Sequence, residues 1–382
     1  MGLCAAEKSR KENFILSGII DSSKKERPKN NNVNNYIRAN NTNVNNQLEI
    51  PLNNMNKNLR EEYSYLDRQT HNNNNNQRHE NNDNSKFQNS DCQYHEVQTL
   101  AGHSDKIVSL IELESGYIAT GSYDFTIRVW DLNENICIIT KVDKGYIFCL
   151  LEFEFNMVLA GTSNNNISLW NLSSKNNEIK FNFLNHSLWV TSLVKCDDKH
   201  FASGSNDATI CIWDYKNREY KYSLTGHNDC ILSLIKLKNG NLCSGSADLT
   251  IKIWDWKNKK LNLNIKTQNE IWVKCLYQLN NGILLSGSDN ICVWSAKVFS
   301  PLKQLNEHRN RIRTLCQIDD NHFASGSFDK TIKIWNIRDF NVIQTINAHD
   351  SNVICLIKLK NNKLVSCSND KTIKIWDRNT VI

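Results

Sequence analysis

A repeat of about 41 residues fills the chain from about residue 94 to its end, and it limits the possible folds more than any other feature. Its clearest mark is a tryptophan that recurs seven times at intervals of 40 to 43 residues: Trp130, Trp170, Trp213, Trp254, Trp294, Trp335 and Trp376. A fixed period of this length is typical of proteins in which one small unit stacks on copies of itself. The spacing therefore predicts seven similar units.

Each unit shows the pattern of several short strands. The run that ends at the tryptophan alternates in character, as in Thr-Ile-Lys-Ile-Trp at 250–254, and a period of two predicts a half-buried strand. A small-residue strand and an Asp-containing turn precede most of these runs, as in Ser-Gly-Ser-Ala-Asp at 244–248. One strand follows a histidine step, and another lies between each tryptophan and the next histidine. Four antiparallel strands in each of seven units predict an all-β fold, a seven-bladed β-propeller of four-stranded blades.

The last unit ends soon after Asp377 and has no room for its outer strand. The segment Glu-Val-Gln-Thr-Leu at 96–100, ahead of the first histidine step, has the right pattern to take that place. We therefore expect residues 94–100 to pair with the strand at 371–376 and to close the ring, which removes the exposed edges of an open sheet.

The motifs Leu-Thr-Gly-His at 224–227 and Ser-Gly-Ser-Ala-Asp-Leu-Thr-Ile-Lys-Ile-Trp-Asp at 244–255 resemble the WD-repeat family, over about residues 94–382. The resemblance implies a hydrogen-bond network within each blade, joining a histidine, a turn aspartate, a strand serine or threonine and the tryptophan. By motif position the five sets are His103, Asp124, Thr120 and Trp130; His186, Asp207, Ser203 and Trp213; His227, Asp248, Ser244 and Trp254; His308, Asp329, Ser325 and Trp335; and His349, Asp370, Ser366 and Trp376. A buried Trp N–H or Asp needs such partners, because each costs about 1–3 kcal/mol if left unpaired.

The repetition of these polar residues argues against an enzyme. A catalytic Ser, His and Asp set is expected at one place in a protein, whereas this trio recurs in five units. The same reasoning, with the absence of ligand-like cysteine spacing, predicts no metal site and no cofactor. The 13 cysteines are expected to be reduced thiols.

Two units depart from the pattern. The second has Asn-Asn-Asn at 164–166 where the aspartate belongs and no histidine before Tyr146. The fifth has a turn two residues shorter, Ser-Asp-Asn at 288–290, and Glu270 near the histidine place. Two interpretations stay open: drift tolerated by the neighbouring blades, or a local opening for a partner.

Residues 1–93 differ in composition from the rest. They contain 24 asparagines and few apolar residues, so they cannot bury enough surface to offset the entropy of ordering, and we expect a disordered arm. The chain begins Met-Gly-Leu-Cys, which offers Gly2 for myristoylation and Cys4 for palmitoylation, although Ala6 stands where Ser or Thr is preferred. Two acyl chains, or one with a basic patch, would anchor the chain to a membrane surface.

Comparison between the repeats separates the positions that build the scaffold from those that could give binding specificity. At the third and fifth residues after the histidine step, and just before the turn aspartate, side chains vary while their neighbours hardly change. In the family these positions surround the central channel on the narrower face, the usual partner surface. Our partner-binding candidates there are Lys106, Tyr123, Tyr146, Phe148, Trp189, Trp272, Lys274, Arg311, Arg313 and Phe328. Aromatic and arginine side chains are common interface anchors, and the basic group would suit an acidic or phosphorylated peptide or loop. The alternative is that several of them fill gaps between blades.

These observations predict a non-enzymatic scaffold that binds other proteins. The net charge of +6 is mild and dispersed, so no nucleic-acid partner is expected, and nothing implies a homo-oligomer. No export signal or membrane-spanning stretch is evident, which predicts a cytoplasmic protein, with a tether to a cytosolic membrane face left open. The alternative function is a substrate-recognition subunit of a cullin-type ubiquitin ligase. That alternative rests on blade endings of the form Trp-Asp-X-Lys at 213–216 and 254–257, with Trp-Asn-Ile-Arg at 335–338 a looser match.

Overall fold

A computed structural model describes residues 93–267 and 271–378. The predicted arm, with its acylation candidates Gly2 and Cys4, lies outside the described residues except for Gln93. Within the described ranges the chain forms 28 strands in seven four-stranded antiparallel sheets. No helix in those ranges is both long and apolar enough to cross a membrane.

The sheets follow one another along the chain, and we number them as blades. The first strand, β1 (Tyr94–Ala101), belongs to the seventh blade. The first blade contains β2 (Ile107–Glu112), β3 (Ile118–Ser122), β4 (Thr126–Asp131) and β5 (Ile136–Val142). The second contains β6 (Ile147–Glu154), β7 (Met157–Thr162), β8 (Asn166–Asn171) and β9 (Ile179–Leu184). The third contains β10 (Val190–Lys195), β11 (His200–Ser205), β12 (Ile210–Asp214) and β13 (Glu219–Leu224).

The remaining blades repeat the same order. The fourth contains β14 (Ile231–Lys236), β15 (Leu242–Ser246), β16 (Thr250–Asp255) and β17 (Lys260–Lys266). The fifth contains β18 (Cys275–Gln278), β19 (Leu284–Gly287), β20 (Ile291–Trp294) and β21 (Pro301–Leu305). The sixth contains β22 (Ile312–Gln317), β23 (His322–Ser327), β24 (Thr331–Asn336) and β25 (Val342–Asn347). The seventh contains β26 (Val353–Lys358), β27 (Leu364–Ser368) and β28 (Thr372–Arg378), with β1 as its outer strand.

The blades form a closed ring. The first strand of each blade contacts the first strand of the next, and β26 of the seventh blade contacts β2 of the first. The hydrophobic core lies between neighbouring blades: Ile212 of the third blade clusters with Ile231 and Trp254 of the fourth. Burial of apolar surface between the sheets is therefore what holds the ring together. The sequence-based prediction of a seven-bladed propeller is confirmed.

The ring closes through β1, as the sequence predicted. It pairs antiparallel with β28, with Thr99 opposite Lys374. The Lys374 ammonium lies 2.8 Å from a carboxylate oxygen of Glu96. The Gln344 side chain of the sixth blade accepts from the Tyr94 N–H at 2.7 Å and donates to the Tyr94 carbonyl at 2.7 Å. The outer strand is thus attached to two blades.

A glycine in the second strand of six blades allows close packing on the next blade. A Cβ placed on Gly245 would lie 2.5 Å from a methyl group of Val273 in the fifth blade. The seventh blade has Cys367 at this position, directly opposite Cys355 of the neighbouring strand. The small-residue strand is therefore a packing requirement that one blade meets differently.

Candidate functional site

The five networks that the resemblance implied are present. In the fourth blade, His227 Nδ1 lies 2.8 Å from Asp248 and its Nε2 lies 2.7 Å from the Ser244 hydroxyl, which also accepts the Trp254 Nε1–H at 2.8 Å. The first, third, sixth and seventh blades repeat these contacts at 2.7 to 2.9 Å. The five histidines are buried, so the polar groups that a hydrolase would use pair with one another inside the blades.

Local charge makes two of these networks differ. Burial alone would lower the pKa of His186, but hydrogen bonds to Asp207 and to the Cys211 thiol outweigh it and raise the pKa to about 9. Lys252 stands in the fourth blade where the third has Cys211. There burial dominates, Lys252 adds repulsion, and the pKa of His227 is lowered despite Asp248.

The second blade has a substitute network that the sequence analysis missed. Asp143 accepts a hydrogen bond from the Ser168 hydroxyl at 2.5 Å and one from the Trp170 Nε1–H at 3.2 Å. Ala160 occupies the usual serine position, and Ser168 of the next strand replaces that hydroxyl. The available signal was that Asp143 lies three residues before Tyr146, as each histidine lies three before its own variable residue.

The fifth blade keeps only part of the network within the described residues. Trp294 Nε1–H donates to the Ser286 hydroxyl at 2.8 Å, as in the regular blades. Its short turn is closed by a hydrogen bond from the Ser288 N–H to the Asn290 carbonyl at 2.9 Å. Glu270, the residue near the histidine place, lies outside the described residues.

A shared backbone arrangement carries the variable residues. The N–H of the residue before the turn aspartate donates to the carbonyl of the residue three after the histidine: Tyr123 to Lys106 at 3.0 Å, and Phe328 to Arg311 at 2.9 Å. The third, fourth and seventh blades contain the same bond. Because the backbone alone makes this link, the side chains are free to differ from blade to blade.

A bulge explains the other variable position. In six blades the pairing of the first and second strands shifts by one residue, at Val108, Phe148, Thr191, Leu232, Arg313 and Ile354. A bulged residue has no partner across the ladder, so its side chain is released from the regular pattern. In the fifth blade Lys274 precedes the ladder and donates its N–H to the Gly287 carbonyl at 2.8 Å.

The aromatic candidates of the first three blades form one ladder of rings. Tyr123 stacks on Tyr146 with centroids 4.7 Å apart and meets Phe148 edge-on at 5.6 Å. Phe148 stacks on Trp189 of the third blade at 5.1 Å. These contacts cross blade boundaries, so the rings do fill gaps between blades, yet all four remain partly exposed. We call Tyr123, Phe125, Tyr146, Phe148 and Trp189 the aromatic ladder.

Phe125 belongs to this ladder but was missing from the sequence candidates. Its ring stacks on Tyr146 at 5.1 Å and is 41% exposed. It occupies the turn position where six blades have a residue of positive φ, here 68°. A bulky residue is unusual in this left-handed conformation, which the sequence alone does not reveal.

The basic candidates meet at the fifth and sixth blades. The Lys274 ammonium lies 4.5 Å from the Trp272 ring centroid, and Arg313 Nη1–H donates to the Lys274 carbonyl at 3.2 Å. Burial, then the charges of Arg313 and Arg311, lower the pKa of Lys274 to about 7. We call Lys274, Arg311 and Arg313 the basic group.

Arg313 and Lys106 both act on the Tyr123 side chain of the aromatic ladder. Burial raises the pKa of the Tyr123 hydroxyl, and the positive charge of Arg313 opposes that rise, so the two side chains lie within electrostatic range. Lys106 lies 5.8 Å from the Tyr123 ring centroid. Phe328 joins through its backbone bond to Arg311. The structure thus brings the candidates into two clusters, the rings of the first three blades with Lys106 and the basic group with Trp272 and Phe328.

The blade endings behind the ubiquitin-ligase alternative are turns with buried centres. Tyr215 is buried and stacks on Phe153 at 4.0 Å, and the buried Trp256 donates its Nε1–H to the Gly240 carbonyl at 3.1 Å. Asp214 and Asp255 accept hydrogen bonds from the backbone N–H three residues on. These contacts account for the motif within the blades, and the ligase alternative stays a prediction.

Comparison with known families places the fold. The model for "WD domain, G-beta repeat" matches five stretches: residues 94–131, 177–214, 218–255, 299–336 and 340–377. This chain belongs to the WD-repeat family. The tryptophans of the second and fifth blades fall outside the matched stretches, in agreement with the departures in their networks.

Known proteins resemble this WD-repeat chain over limited stretches. It is 31% identical over 123 residues to "Ribosome biogenesis protein WDR12 homolog" of Anopheles gambiae, covering 31% of this chain and 29% of the relative. It is 32% identical over 126 residues to "Ribosome biogenesis protein YTM1" of Debaryomyces hansenii, covering 30% and 27%. The matches thus span less than a third of either relative's length. The WD40 propeller domain of Doa1 has a TM-score of 0.68 at 21% identity, covering 76% of this chain and 98% of that domain, which shows the fold alone.

Proposed function

We propose that this chain is a non-catalytic scaffold that binds a peptide or loop of a partner protein through the aromatic ladder and the basic group. The observation that supports this most is clustering at positions that the repeat leaves free to vary. Partly exposed rings of the first three blades contact one another, and so do Trp272, Lys274 and Arg313 of the fifth and sixth blades. Aromatic and arginine side chains supply most of the binding energy at protein interfaces.

The buried networks support the non-catalytic part of the proposal. Each Ser or Thr, His and Asp set has its hydrogen bonds completed within its own blade. A nucleophile has to reach a substrate, and these hydroxyls are fully buried. The scaffold interpretation needs only that the ring stay rigid while its rim binds.

Affinity capture from cells with the full-length chain tests the proposal. We expect Trp272→Ala with Arg311→Ala, and separately Trp189→Ala, to lose partners that the unaltered chain retains. Phe155→Ala is the matched control, because Phe155 is 60% exposed and follows the opposite end of β6 from Tyr146. Unchanged partners with an unchanged melting temperature in both variants would reject this surface.

A role in ribosome biogenesis is the second candidate, favoured by the similarity to proteins of that name. The similarity covers less than a third of each relative, so their assemblies are a proposal for this chain. Sucrose-gradient sedimentation of cell extract tests it: we expect co-migration with precursor ribosomal subunits, and migration only as free protein would argue against it.

Membrane attachment through Gly2 and Cys4 extends the scaffold proposal to a cytosolic membrane face. Fractionation separates the possibilities, because two acyl chains hold a protein on a membrane far better than one. We expect Gly2→Ala and Cys4→Ser to move the chain to the supernatant. An unaltered chain that is already wholly in the supernatant would remove the membrane proposal and leave the cytoplasmic one.

A further inference from the structure

Lys274 and Arg313 of the basic group offer hydrogen-bond donors that the described residues do not use. The Lys274 ammonium lies over the Trp272 ring and donates no hydrogen bond to any residue within 93–267 or 271–378. The Arg313 guanidinium carries five N–H donors and, in the same ranges, donates one bond, to a backbone carbonyl. A cluster of donors with so few acceptors calls for a ligand made of acceptors.

The electrostatic surroundings point the same way. Among the residues that the structure describes, the groups with the largest electrostatic effect on Lys274 are Arg313, Arg311, Cys275 and Cys230. Arg313 also acts on the thiols Cys149, Cys275 and Cys355 and on Tyr123. Positive charges at close range in a half-buried place repel one another, so an anion that binds between them gains energy from both.

We propose that Lys274 and Arg313, with Arg311 beside them, bind the phosphate of a phosphorylated side chain on the partner segment. The inference rests on the proposed function and names the chemistry of its ligand. A phosphomonoester brings up to two negative charges and three acceptor oxygens, whereas a carboxylate brings one charge and two oxygens. Arginine binds phosphate through paired N–H bonds and lysine as a compact charge, so the two side chains are complementary in this task.

The neighbouring aromatic rings predict which residues flank the phosphorylated residue in the partner segment. The Trp272 ring centroid lies 4.5 Å from the Lys274 ammonium, and the positive charge of Arg313 acts on Tyr123 of the aromatic ladder. A segment whose phosphate lies at Lys274 therefore has the Trp272 ring beside it. We expect large apolar residues close to the phosphorylated residue in sequence, because aromatic rings bind such side chains favourably.

Protonation of Lys274 couples to this binding. Near pH 7 about half of the free Lys274 side chains are neutral, because burial and the two arginines lower the pKa to about 7. A bound dianion favours the charged ammonium, so binding takes up a proton when the pH is above 7. Affinity is expected to fall as the pH rises from about 7, while below about 6 the phosphate itself loses charge.

The experiment uses the full chain and a degenerate library of nine-residue peptides with a central phosphoserine. Matched libraries carry serine or glutamate at the centre, and calorimetry in buffers of different ionisation enthalpy reports the protons taken up. We expect the phosphoserine library to bind at least about tenfold more tightly than the serine library, and Lys274→Gln or Arg313→Gln to remove that advantage. Lys257→Gln is the matched control, since Lys257 also lies over a tryptophan ring, 5.6 Å from the Trp256 centroid.

Each outcome decides one way. Equal binding of the phosphoserine and serine libraries, or an advantage that survives in Arg313→Gln, overturns the phosphate site even where partner capture through the aromatic ladder persists. Displacement of the peptide by equimolar inorganic phosphate would support the phosphate site but contradict the expected contribution of the flanking apolar residues. Proton uptake by the unaltered chain needs no variant, and its absence at pH 7.5 contradicts the role of Lys274.

Discussion

The five blades that match the family model and the two that do not differ in what holds them and in what they present. The matched blades share a His, Asp and Ser or Thr network around the tryptophan. The second blade replaces it with Asp143, and the fifth keeps the bond between Trp294 and Ser286. Yet the two unmatched blades contribute Tyr146, Phe148, Trp272 and Lys274, four of the ten partner-binding candidates. The matched sixth blade contributes three more, Arg311, Arg313 and Phe328, so a blade can supply candidates with or without the regular network.

The variation of the polar network between the two classes of blade has a physical basis. A buried tryptophan needs an acceptor for its N–H, but the acceptor can come from different residues, as Ser168 and Ser286 illustrate. Packing between blades is less tolerant, because both unmatched blades keep the small residue of the second strand, Gly161 and Gly287. The close packing between blades therefore restricts the sequence more than the choice of residues in the polar network does.

The largest expected effect is the difference in stability between a core tryptophan and a surface tryptophan of the third blade. Trp213→Ala should lower the free energy of unfolding by about 3–5 kcal/mol, because Trp213 is fully buried between blades. Trp189→Ala, a matched change in the same blade, should cost clearly less because Trp189 is partly exposed. Chemical denaturation of the full-length chain measures the free energy of unfolding of both variants. Equal losses would mean that the aromatic ladder is part of the core.

The next prediction tests whether shape is constrained equally in both classes of blade. Gly245→Ala in a matched blade and Gly287→Ala in an unmatched one should each cost about 1–3 kcal/mol, because the new Cβ would lie within 3 Å of neighbouring side chains. Gly116→Ala is the control: its Cβ would meet nothing within 4 Å, so only its φ of 86° opposes the change. A Gly287 variant as stable as the unaltered chain would show that the fifth blade packs loosely.

A similar or smaller effect is expected for the substitute network of the second blade. Asp143→Ala removes the acceptor of Ser168 and one acceptor of Trp170, and should cost about 1–3 kcal/mol. Asp198→Ala makes the same chemical change on a fully exposed side chain and should leave the melting temperature unchanged. If both variants melt alike, Asp143 does not replace the missing histidine.

The smallest effect concerns two networks of the matched class. We expect NMR titration to find His186 protonated up to about pH 9 and the pKa of His227 below its ordinary value. A raised folded-state pKa means that the stability from His186 is complete below pH 6.5 and is lost as the pH rises through about 9. Cys211→Val should lower the pKa of His186, and Lys252→Met should raise that of His227. Identical titration of both histidines would remove the assigned roles of Cys211 and Lys252.

Sequence reasoning predicted most of the scaffold because the repeat supplied five to seven copies of each pattern. The strand order, the closure by β1 and the five networks followed from residues that recur at fixed offsets. Asp143 was missed because an aspartate there differs in type from the histidine that it replaces. Phe125 escaped because a positive φ depends on the three-dimensional turn, and the bulges at Phe148 and Arg313 because register is set by pairing between strands. A feature that occurs in one blade only cannot be predicted from the repeat and is seen only in the three-dimensional structure.

Closure by β1 has a consequence for synthesis on the ribosome. Glu96 and Lys374, which meet in the finished ring, are 278 residues apart. At roughly 5–20 residues per second, translation leaves an interval on the order of tens of seconds between the emergence of β1 and that of β28. During that time β1 has no partner strand of its own blade, and an unpaired strand is open to pairing with another chain. The β1 strand contains the polar residues His95, Glu96 and Gln98 within Tyr-His-Glu-Val-Gln-Thr-Leu-Ala. These residues discourage such pairing until β28 has been synthesised.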